Sequence, residues 1–339
     1  MGGLELIWER DLHVGVNARS VIAPSLIVVP ERFSKLCRVS PVDGSPVWVA
    51  DVQNQWGWLA VSGSTCAYLN KHSRLQCFDL EDGVERWAVD LHGRHGSVFG
   101  HLRVVGDRVM VGGWRGYSDT LALSADDGAL VWTRSTRGRA MMAPASGSGD
   151  KLLLPFPQER RCVLVAASTG EELAEWSCPQ NELLPDASDF VVTDSGRFWC
   201  LDRNGRVLAL DPTSDADWVE LARHRHPFFS FAPTITESLL LFEDTPRRLC
   251  AYSLTSMSQL WEAPILHRRA DLLPAAELPS GSLAFAAASG LLTVFDRDGQ
   301  PVARRGFRKR FLAGLTRTAA GALVGANGGR LIALDASSL

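Results

Sequence analysis

Three observations predict an all-β fold, an eight-bladed β-propeller with four antiparallel strands in each blade. Tryptophans recur every 39 to 45 residues, a strand-turn-strand phrase precedes them, and each chain end carries part of one unit. Repeats of about 40 residues are typical of propellers, because each unit is one sheet that buries its faces against its neighbours. The recurring tryptophans are Trp8, Trp48, Trp87, Trp132, Trp176, Trp218 and Trp261.

The phrase before each tryptophan has the pattern of a hairpin. In residues 75–87, an apolar run ends at an Asp82-Gly83 turn and a second run leads to Trp87. An Asp-Gly pair between short apolar runs favours a hairpin, because glycine accepts the positive φ that such turns need. Two more short runs, at 98–105 and 108–112, stand before the next phrase. The pattern therefore predicts four strands per unit, with the tryptophan on the outermost strand.

The two chain ends predict how the ring closes. Residues 5–11 form a lone outer strand, and residues 330–335 form a third strand without an outer partner. We expect the first segment to complete the last blade, because closure removes exposed sheet edges. The predicted single domain, 1–339, then divides into blades at approximately 12–52, 53–91, 92–136, 137–179, 180–222, 223–265, 266–306, and 307–339 together with 1–11.

Composition and the first residues narrow the class of protein. Hydrophobic residues make up 46% and charged residues 22% of the chain, which favours a packed interior over disorder. The start lacks the basic and apolar regions of an export signal, and no run of eighteen apolar residues occurs. We therefore expect a cytoplasmic protein that does not bind a membrane. Seven scattered cysteines fit reduced thiols that fill the core.

The repeat is most complete at Ala122, Ser124, Gly128 and Trp132. It resembles the tryptophan-docking repeat of PQQ-type quinoprotein dehydrogenases and of BamB-like outer-membrane assembly factors. The resemblance spans the whole chain and implies an eight-bladed propeller whose tryptophans lock neighbouring blades together. The dehydrogenases of this family hold calcium and a quinone and carry a disulfide between adjacent cysteines. This chain has no adjacent cysteine pair, so we expect no quinone cofactor and no metal.

The strand order predicts that charge is sorted between two faces. Labelling the strands of a blade A to D, the D-to-A loops and the B-to-C turns share one face. They carry about two thirds of the 35 basic residues but about a quarter of the 38 acidic ones. A formal net charge of -3 therefore conceals a dipole that attracts anions to one face.

The D-to-A loops and the adjoining strand ends hold the candidate ligand-binding residues. The pairs His92-x-x-His95 and His224-x-His226 offer imidazoles, and Trp58 can stack on a planar ligand. The full candidate set is Arg19, Trp58, His92, His95, Arg139, His224, His226, His267, Arg269 and Arg310. No carboxylate accompanies the histidine pairs as a third ligand, so this pattern does not predict a metal centre.

Two functions fit the cationic face. The first is a binding or scaffold module that holds an acidic protein partner or an anionic small molecule. The alternative is an enzyme, such as a biosynthetic tailoring enzyme, with its active site at the axial channel, histidine as acid or base and arginine as clamp. The sequence assigns no catalytic residue. Nucleic acid is not the expected partner, since the pI is about 6.3 and no RNA- or DNA-binding motif is present.

A purely structural origin of the charge pattern stays open at this point. Aspartate and glycine are favoured in tight turns, so hairpin chemistry alone places acidic residues on one face and leaves the arginines to the other. That explanation accounts for the acidic face but not for the clustering of histidines in the D-to-A loops.

Overall fold

The computed structural model is built of four-stranded antiparallel sheets. It describes residues 4–12, 21–31, 34–54, 57–95, 101–112, 119–135, 143–144, 151–156, 159, 161–177, 190–192, 198–201, 206–214, 217–223, 234–235, 239–245, 248–253, 256, 258–264, 275–287, 289–311 and 315–339. Within these residues lie eight such sheets and one helical turn, α1 (His92–His95). The predictions of an all-β fold and of four strands per unit are confirmed.

The strands follow one another along the chain with short connections. Those of the N-terminal part are β1 (Glu5–Asp11), β2 (Val21–Ala23), β3 (Leu26–Glu31), β4 (Lys35–Val39) and β5 (Pro46–Asp51). The middle part contains β6 (Gly57–Ser62), β7 (Thr65–Asn70), β8 (Arg74–Asp79), β9 (Glu85–Asp90), β10 (His101–Val105), β11 (Arg108–Gly112), β12 (Asp119–Ser124), β13 (Leu130–Ser135), β14 (Ala143–Pro144), β15 (Lys151–Phe156), β16 (Arg161–Ala166), β17 (Glu172–Ser177), β18 (Phe190–Val192), β19 (Phe198–Leu201), β20 (Arg206–Leu210) and β21 (Val219–Arg223). The C-terminal part contains β22 (Thr234–Ile235), β23 (Leu239–Thr245), β24 (Arg248–Ser253), β25 (Ser258–Pro264), β26 (Ala276–Glu277), β27 (Leu283–Ala286), β28 (Leu291–Phe295), β29 (Pro301–Gly306), β30 (Thr316–Arg317), β31 (Ala322–Asn327) and β32 (Arg330–Asp335).

The sheets fall into two compact units. One unit comprises residues 1–56 and 231–339, and the other comprises residues 57–230. The first unit contains the sheets β2–β5, β22–β25, β26–β29 and the composite sheet β1-β32-β31-β30. The second contains β6–β9, β10–β13, β14–β17 and β18–β21.

The composite sheet joins the two ends of the chain. Strand β1 pairs antiparallel with β32, from Glu5 opposite Asp335 to Asp11 opposite Arg330, with an irregularity between Leu6 and Trp8. A hydrogen bond from the Arg330 guanidinium to the Glu9 carboxylate adds to the ladder. The predicted pairing of residues 5–11 with residues 330–335 is confirmed.

Burial within a sheet falls from the inner strands to the outer strand. Strand β7 is buried at every position, whereas β9, the outer strand of the same sheet, is exposed at both ends. Leucines of β7 and β8 pack against apolar side chains of β11 and β12 in one continuous cluster. Each sheet of this pair thus buries its face against the other, which is the packing that a repeat of single sheets requires.

Tryptophans of the outer strands contact the turn between the third and fourth strands of the next sheet. The Trp87 indole Nε1 donates to the Ala125 carbonyl at 2.8 Å, and Trp132 Nε1 donates to Ala167 at 2.8 Å. Gly128 adopts a φ of +73°, and a Cβ built there would lie 2.6 Å from the Trp87 ring. Glycine is therefore required both for the turn and for the close approach of the indole.

Cysteine chemistry agrees with a reduced core. Cys37, Cys66, Cys77, Cys162 and Cys250 are buried free thiols, as predicted for core-filling cysteines. Burial is the main reason why the pKa of the Cys77 thiol rises to about 11. Among the described residues, no helix has the length and apolar character needed to cross a membrane.

Candidate functional site

The D-to-A loops and the B-to-C turns share one end of each sheet, here called the loop end. In four sheets a backbone N–H just after an outer strand donates to a carbonyl of a B-to-C turn. The four bonds run from Leu12 to Gly329 at 2.8 Å, Val52 to Ser34 at 2.8 Å, Leu91 to Ser73 at 3.0 Å and Phe307 to Gly290 at 2.7 Å. These bonds fix the start of each loop by main-chain atoms alone.

A strongly basic stretch of the chain begins in the second half of β29 and continues into the loop after it. Residues 299–334 contain seven arginine and lysine residues and no aspartate or glutamate. Five of the seven lie in residues 304–310, here called the basic segment: Arg304, Arg305, Arg308, Lys309 and Arg310. Of these five residues, the candidate set from the sequence contained only Arg310. The missing acidic residues were the signal in the sequence that could have revealed the whole segment.

The backbone of the basic segment is held from two sides. On one side, the Asn327 side-chain amide donates to the Lys309 carbonyl at 2.7 Å, and the Gly328 N–H donates to the Arg310 carbonyl at 2.7 Å. On the other side, Gly290 lies so close that an added Cβ would be 2.5 Å from the Lys309 carbonyl oxygen. Asn327 is itself buried. The backbone of residues 309–310 is therefore held by hydrogen bonds to its own carbonyls, and the Lys309 ammonium adds a long bond of 3.4 Å to the Gly328 carbonyl.

An aromatic pair anchors the same segment. Phe311 is 2% exposed and forms a β-bridge with Asn327. The Phe307 ring meets Phe311 edge-on, with a centroid distance of 5.3 Å. The Arg305 guanidinium lies 5.4 Å from the Phe307 ring centroid and donates to the Leu4 carbonyl. Arg305 thus serves the packing between β29 and the start of β1.

The other four cations of the segment, Arg304, Arg308, Lys309 and Arg310, are exposed. Within the part of the chain that the structure describes, none of the four forms an ion pair with a carboxylate. Elsewhere arginines are paired, as in Arg10 with Glu31, Arg86 with Asp79 and Arg134 with Glu172. The basic segment therefore carries several positive charges that no described acidic side chain neutralises.

The opposite end of each sheet, here called the turn end, carries acidic residues that the fold uses. The Asp127 carboxylate accepts the Ala129 N–H at 3.0 Å, and the Asp296 carboxylate accepts the N–H groups of Asp298 and Gln300 at 3.0 and 2.8 Å. The bond from Ala129 is the main reason why the pKa of Asp127 lies below its usual value. These carboxylates close turns by local hydrogen bonding, as the preference of aspartate for turns implies.

Two predicted histidines lie together in the second unit. His92 and His95 lie in α1, where the His95 N–H donates to the Leu91 carbonyl at 2.9 Å. The bond from Leu91 to Ser73 brings this turn beside Lys71, His72 and Arg74. His92 and His72 are exposed. The adjacent His72 was not among the candidates from the sequence, because it lies in a B-to-C turn.

Of the remaining candidates, one packs against the core and six lie outside the described residues. Trp58, on β6, is half-buried and packs against the apolar cluster between β7 and β12. Six candidates lie outside the described residues: Arg19, Arg139, His224, His226, His267 and Arg269. Among the described residues, no group of three or more histidine, cysteine, aspartate or glutamate side chains is arranged to hold a metal ion. The geometry available for chemistry is thus that of an exposed cationic surface suited to binding anions.

Comparison with known proteins agrees with this architecture. The family model described as outer membrane protein assembly factor BamB, a PQQ-type repeat, matches residues 32–183 and 118–289. The structure of BamB from Moraxella catarrhalis superposes with a TM-score of 0.73 at 16% identity, covering 98% of both chains. The computationally designed Ika8 protein superposes with a TM-score of 0.72 at 12% identity, covering 98% of this chain and 99% of that one.

A curated enzyme is also similar in sequence. Quinohemoprotein alcohol dehydrogenase ADH-IIG of Pseudomonas putida is 26% identical over 175 residues, which are 45% of this chain and 24% of the enzyme. The chain thus spans about a quarter of the length of this relative. The solved structure of that enzyme superposes with a TM-score of 0.70 at 13% identity, covering 98% of this chain and 76% of the enzyme. At these identities the structural matches establish the fold and not the activity.

Proposed function

The chain belongs to the PQQ-like repeat family represented by the BamB model, and we propose that it is a binding or scaffold module. In this proposal its cationic loop end holds an acidic protein partner or an anionic small molecule. The family is named after an outer membrane protein assembly factor, and assembly is compatible with a protein that holds another molecule. The fold itself is shared by assembly factors and dehydrogenases, so the site has to carry the functional argument.

The observation that carries the proposal is the basic segment. Four exposed cations stand on a backbone that buried Asn327 and Gly290 already hold in place. A preordered surface loses less conformational entropy on binding than a mobile one, so more of the electrostatic attraction remains as affinity. A cationic surface of this kind also raises the association rate of anionic partners.

The complete ring and the cellular location are further parts of the proposal. We propose that the eight sheets are the blades of one propeller and that β1 closes it, supported by the pairing of β1 with β32. We also propose that the protein acts in the cytoplasm, supported by five buried free thiols. Fractionation of cells that express the full chain tests the location. Recovery in an exported fraction would contradict it.

The binding proposal is tested with two generic polyanions, fluorescently labelled polyglutamate and inorganic polyphosphate. We expect at least one of them to bind the full chain more weakly at 200 mM than at 50 mM NaCl, because salt screens exposed charges. Replacing Arg308 and Arg310 by Gln should weaken that binding about threefold or more, given ordinary exposed charge pairs. Thermal melting of the double variant should be unchanged, since exposed substitutions usually alter stability by less than about 0.5 kcal/mol.

A matched control comes from the other end of the same hairpin. Arg297 is exposed in the turn between β28 and β29 and donates to the Ser280 carbonyl. Arg297→Gln removes one positive charge at the turn end, so it should leave polyanion affinity almost unchanged, whereas Arg310→Gln should lower it. Equal losses in the two single variants, or no binding of either polyanion, would contradict the proposed site.

A further inference from the structure

We infer that the ligand of the basic segment is a short acidic stretch of another protein, with carboxylates spaced over a few residues. The inference rests on the proposed function and adds the chemical class of the partner. Four observations support it: the cations are mainly arginines, the aromatic rings beside them have intramolecular contacts, and the cations are exposed. The fourth is the carboxylate of Asp298, which limits the length of an acidic stretch that could bind here.

The cations are mainly arginines. Three of the four exposed ones are Arg304, Arg308 and Arg310, and the fourth is Lys309. A guanidinium presents its donors in a planar fork that matches the two oxygens of a carboxylate. The same chain already pairs a guanidinium with a carboxylate internally, since Arg10 Nε and Nη2 both donate to Oε1 of Glu31, at 2.9 and 2.6 Å. Carboxylates on a partner satisfy the exposed arginines in the same way.

The aromatic rings at the basic segment already pack against side chains of the same chain, and this disfavours a nucleic acid as the ligand. Single-stranded nucleic acids bind through bases that stack on exposed aromatic side chains beside a long basic groove. Here Phe307 is half-buried between Arg305 and Phe311, and Phe311 is 2% exposed. The Phe311 ring presents no face for a base, and Arg305 lies over one face of the Phe307 ring.

The exposure of all four cations disfavours a small anion. Small molecules are generally held in concave sites that bury most of their surface. The four cations are all exposed on a segment of the surface, with their backbone fixed behind them by Asn327 and Gly328. An extended partner that contacts several of them at once gains from each contact, whereas a small anion gains from one or two.

The turn end of the same hairpin limits the length of the acidic stretch. Asp298, which is exposed in the turn before β29, lies six residues before Arg304, the first cation of the basic segment. Six strand residues span about 20 Å at roughly 3.4 Å each. A polyanion that continues along the strand therefore meets a carboxylate at its far end. A short acidic stretch confined to the loop end avoids this repulsion.

The test compares four labelled probes of similar size: a peptide with four glutamates, its glutamine counterpart, inorganic tetraphosphate and a short oligothymidylate. We expect the glutamate peptide to bind the full chain most tightly at 50 mM NaCl and the glutamine peptide not to bind. Arg308→Gln with Arg310→Gln should weaken the glutamate peptide about fivefold or more, and Arg297→Gln should change its affinity less than twofold.

A charge-preserving variant separates forked recognition from simple attraction. With Arg308→Lys and Arg310→Lys the charge remains but the planar fork is lost. The lysine variant should therefore lose about half as much binding free energy for the glutamate peptide as the double glutamine variant loses. Full affinity in the lysine variant would overturn the role given to guanidinium geometry and with it the preference for carboxylates.

The outcomes distinguish the inference from the proposed function. Tighter binding of tetraphosphate or oligothymidylate, still weakened by the Arg308 and Arg310 substitutions, would overturn the acidic-protein class and leave the anion-binding site intact. If the glutamate peptide binds equally well with and without these substitutions, the site lies elsewhere, and both the inferred partner class and the proposed binding site are overturned. Binding of none of the anionic probes would also overturn both.

Discussion

The two ends of the sheets use charge differently. At the turn end, carboxylates such as Asp127 and Asp296 accept backbone N–H groups within their own turns. At the loop end, the basic segment is held by backbone carbonyls and by Asn327, while four of its charged side chains project to the surface without a described ion pair. Turn chemistry therefore explains the acidic end, but it does not explain the basic one.

This difference places unequal restrictions on the sequence at the two ends. The turn end contains the glycines and carbonyls that receive the tryptophans, so its sequence is restricted by packing. The loop end is fixed mainly by main-chain hydrogen bonds, which any residue type can supply. Side chains there are consequently available for recognition, as is common for loops on a rigid scaffold.

The largest expected effect on stability comes from removing β1. This strand has contacts at a turn end and at a loop end of sheets in the first unit. Trp8 lies against Gly44 at a turn end, and the Arg10 guanidinium donates to the Glu31 carboxylate at a loop end. Deleting residues 1–11 also exposes the edge of β32. We expect a loss of several kcal/mol in the free energy of unfolding, measured by urea denaturation, which is a large part of the stability of a typical domain.

A synthetic peptide of residues 1–12 serves as the control for this deletion. If the loss reflects the missing strand, the peptide should bind the truncated protein and raise its melting temperature in a concentration-dependent manner. An unchanged melting temperature after the deletion would refute the structural role of β1 and the proposed closure.

The next effect is at the turn end, where Trp132 packs on Gly170. Trp132→Ala should lower the free energy of unfolding by about 3 kcal/mol or more, because it leaves a cavity and removes the bond to Ala167. Leu130→Ala, on the same strand but 43% exposed, should cost far less. Similar costs for the two variants in urea denaturation would show that the indole contact is not a principal source of stability.

A double-mutant cycle sharpens this prediction. A Cβ at Gly170 would lie 2.8 Å from the Trp132 ring, and Gly170 has a φ of +72°. Gly170→Ala should therefore destabilise the native protein through both the clash and the backbone strain. In the Trp132→Ala background only the strain should remain, so the coupling between the two substitutions should be clearly non-zero.

The sequence predicted the repeat better than the site, for a physical reason. The tryptophan period and the Asp-Gly turns are local signals, and they were sufficient to pair residues 5–11 with residues 330–335. The order of the basic segment instead depends on bonds between positions distant in sequence, such as Asn327 to Lys309. Several of these bonds involve only main-chain atoms, so residue identity does not encode them, whereas the absence of acidic residues from 299–334 is a signal that the sequence does carry.

The smallest expected effect concerns an acidic side chain at the turn end, and it depends on pH. Asp79 is hydrogen-bonded to the Arg86 guanidinium, and this bond is the main reason why the pKa of Asp79 lies below its usual value. A depressed carboxyl pKa stabilises the folded state above the unfolded value, near 3.9, and this contribution is lost as pH falls through the folded value. Asp79→Asn should therefore lower the melting temperature at pH 7, and the difference in melting temperature from the native protein should narrow toward pH 2 to 3.

An Arg86→Gln background serves as the control. There the difference in melting temperature caused by Asp79→Asn at pH 7 should shrink, since the partner charge is gone. A gap for Asp79→Asn that is constant from pH 7 to pH 2 would show that turn-end carboxylates act by shape alone, and the difference between the two ends would then lie in packing and not in charge.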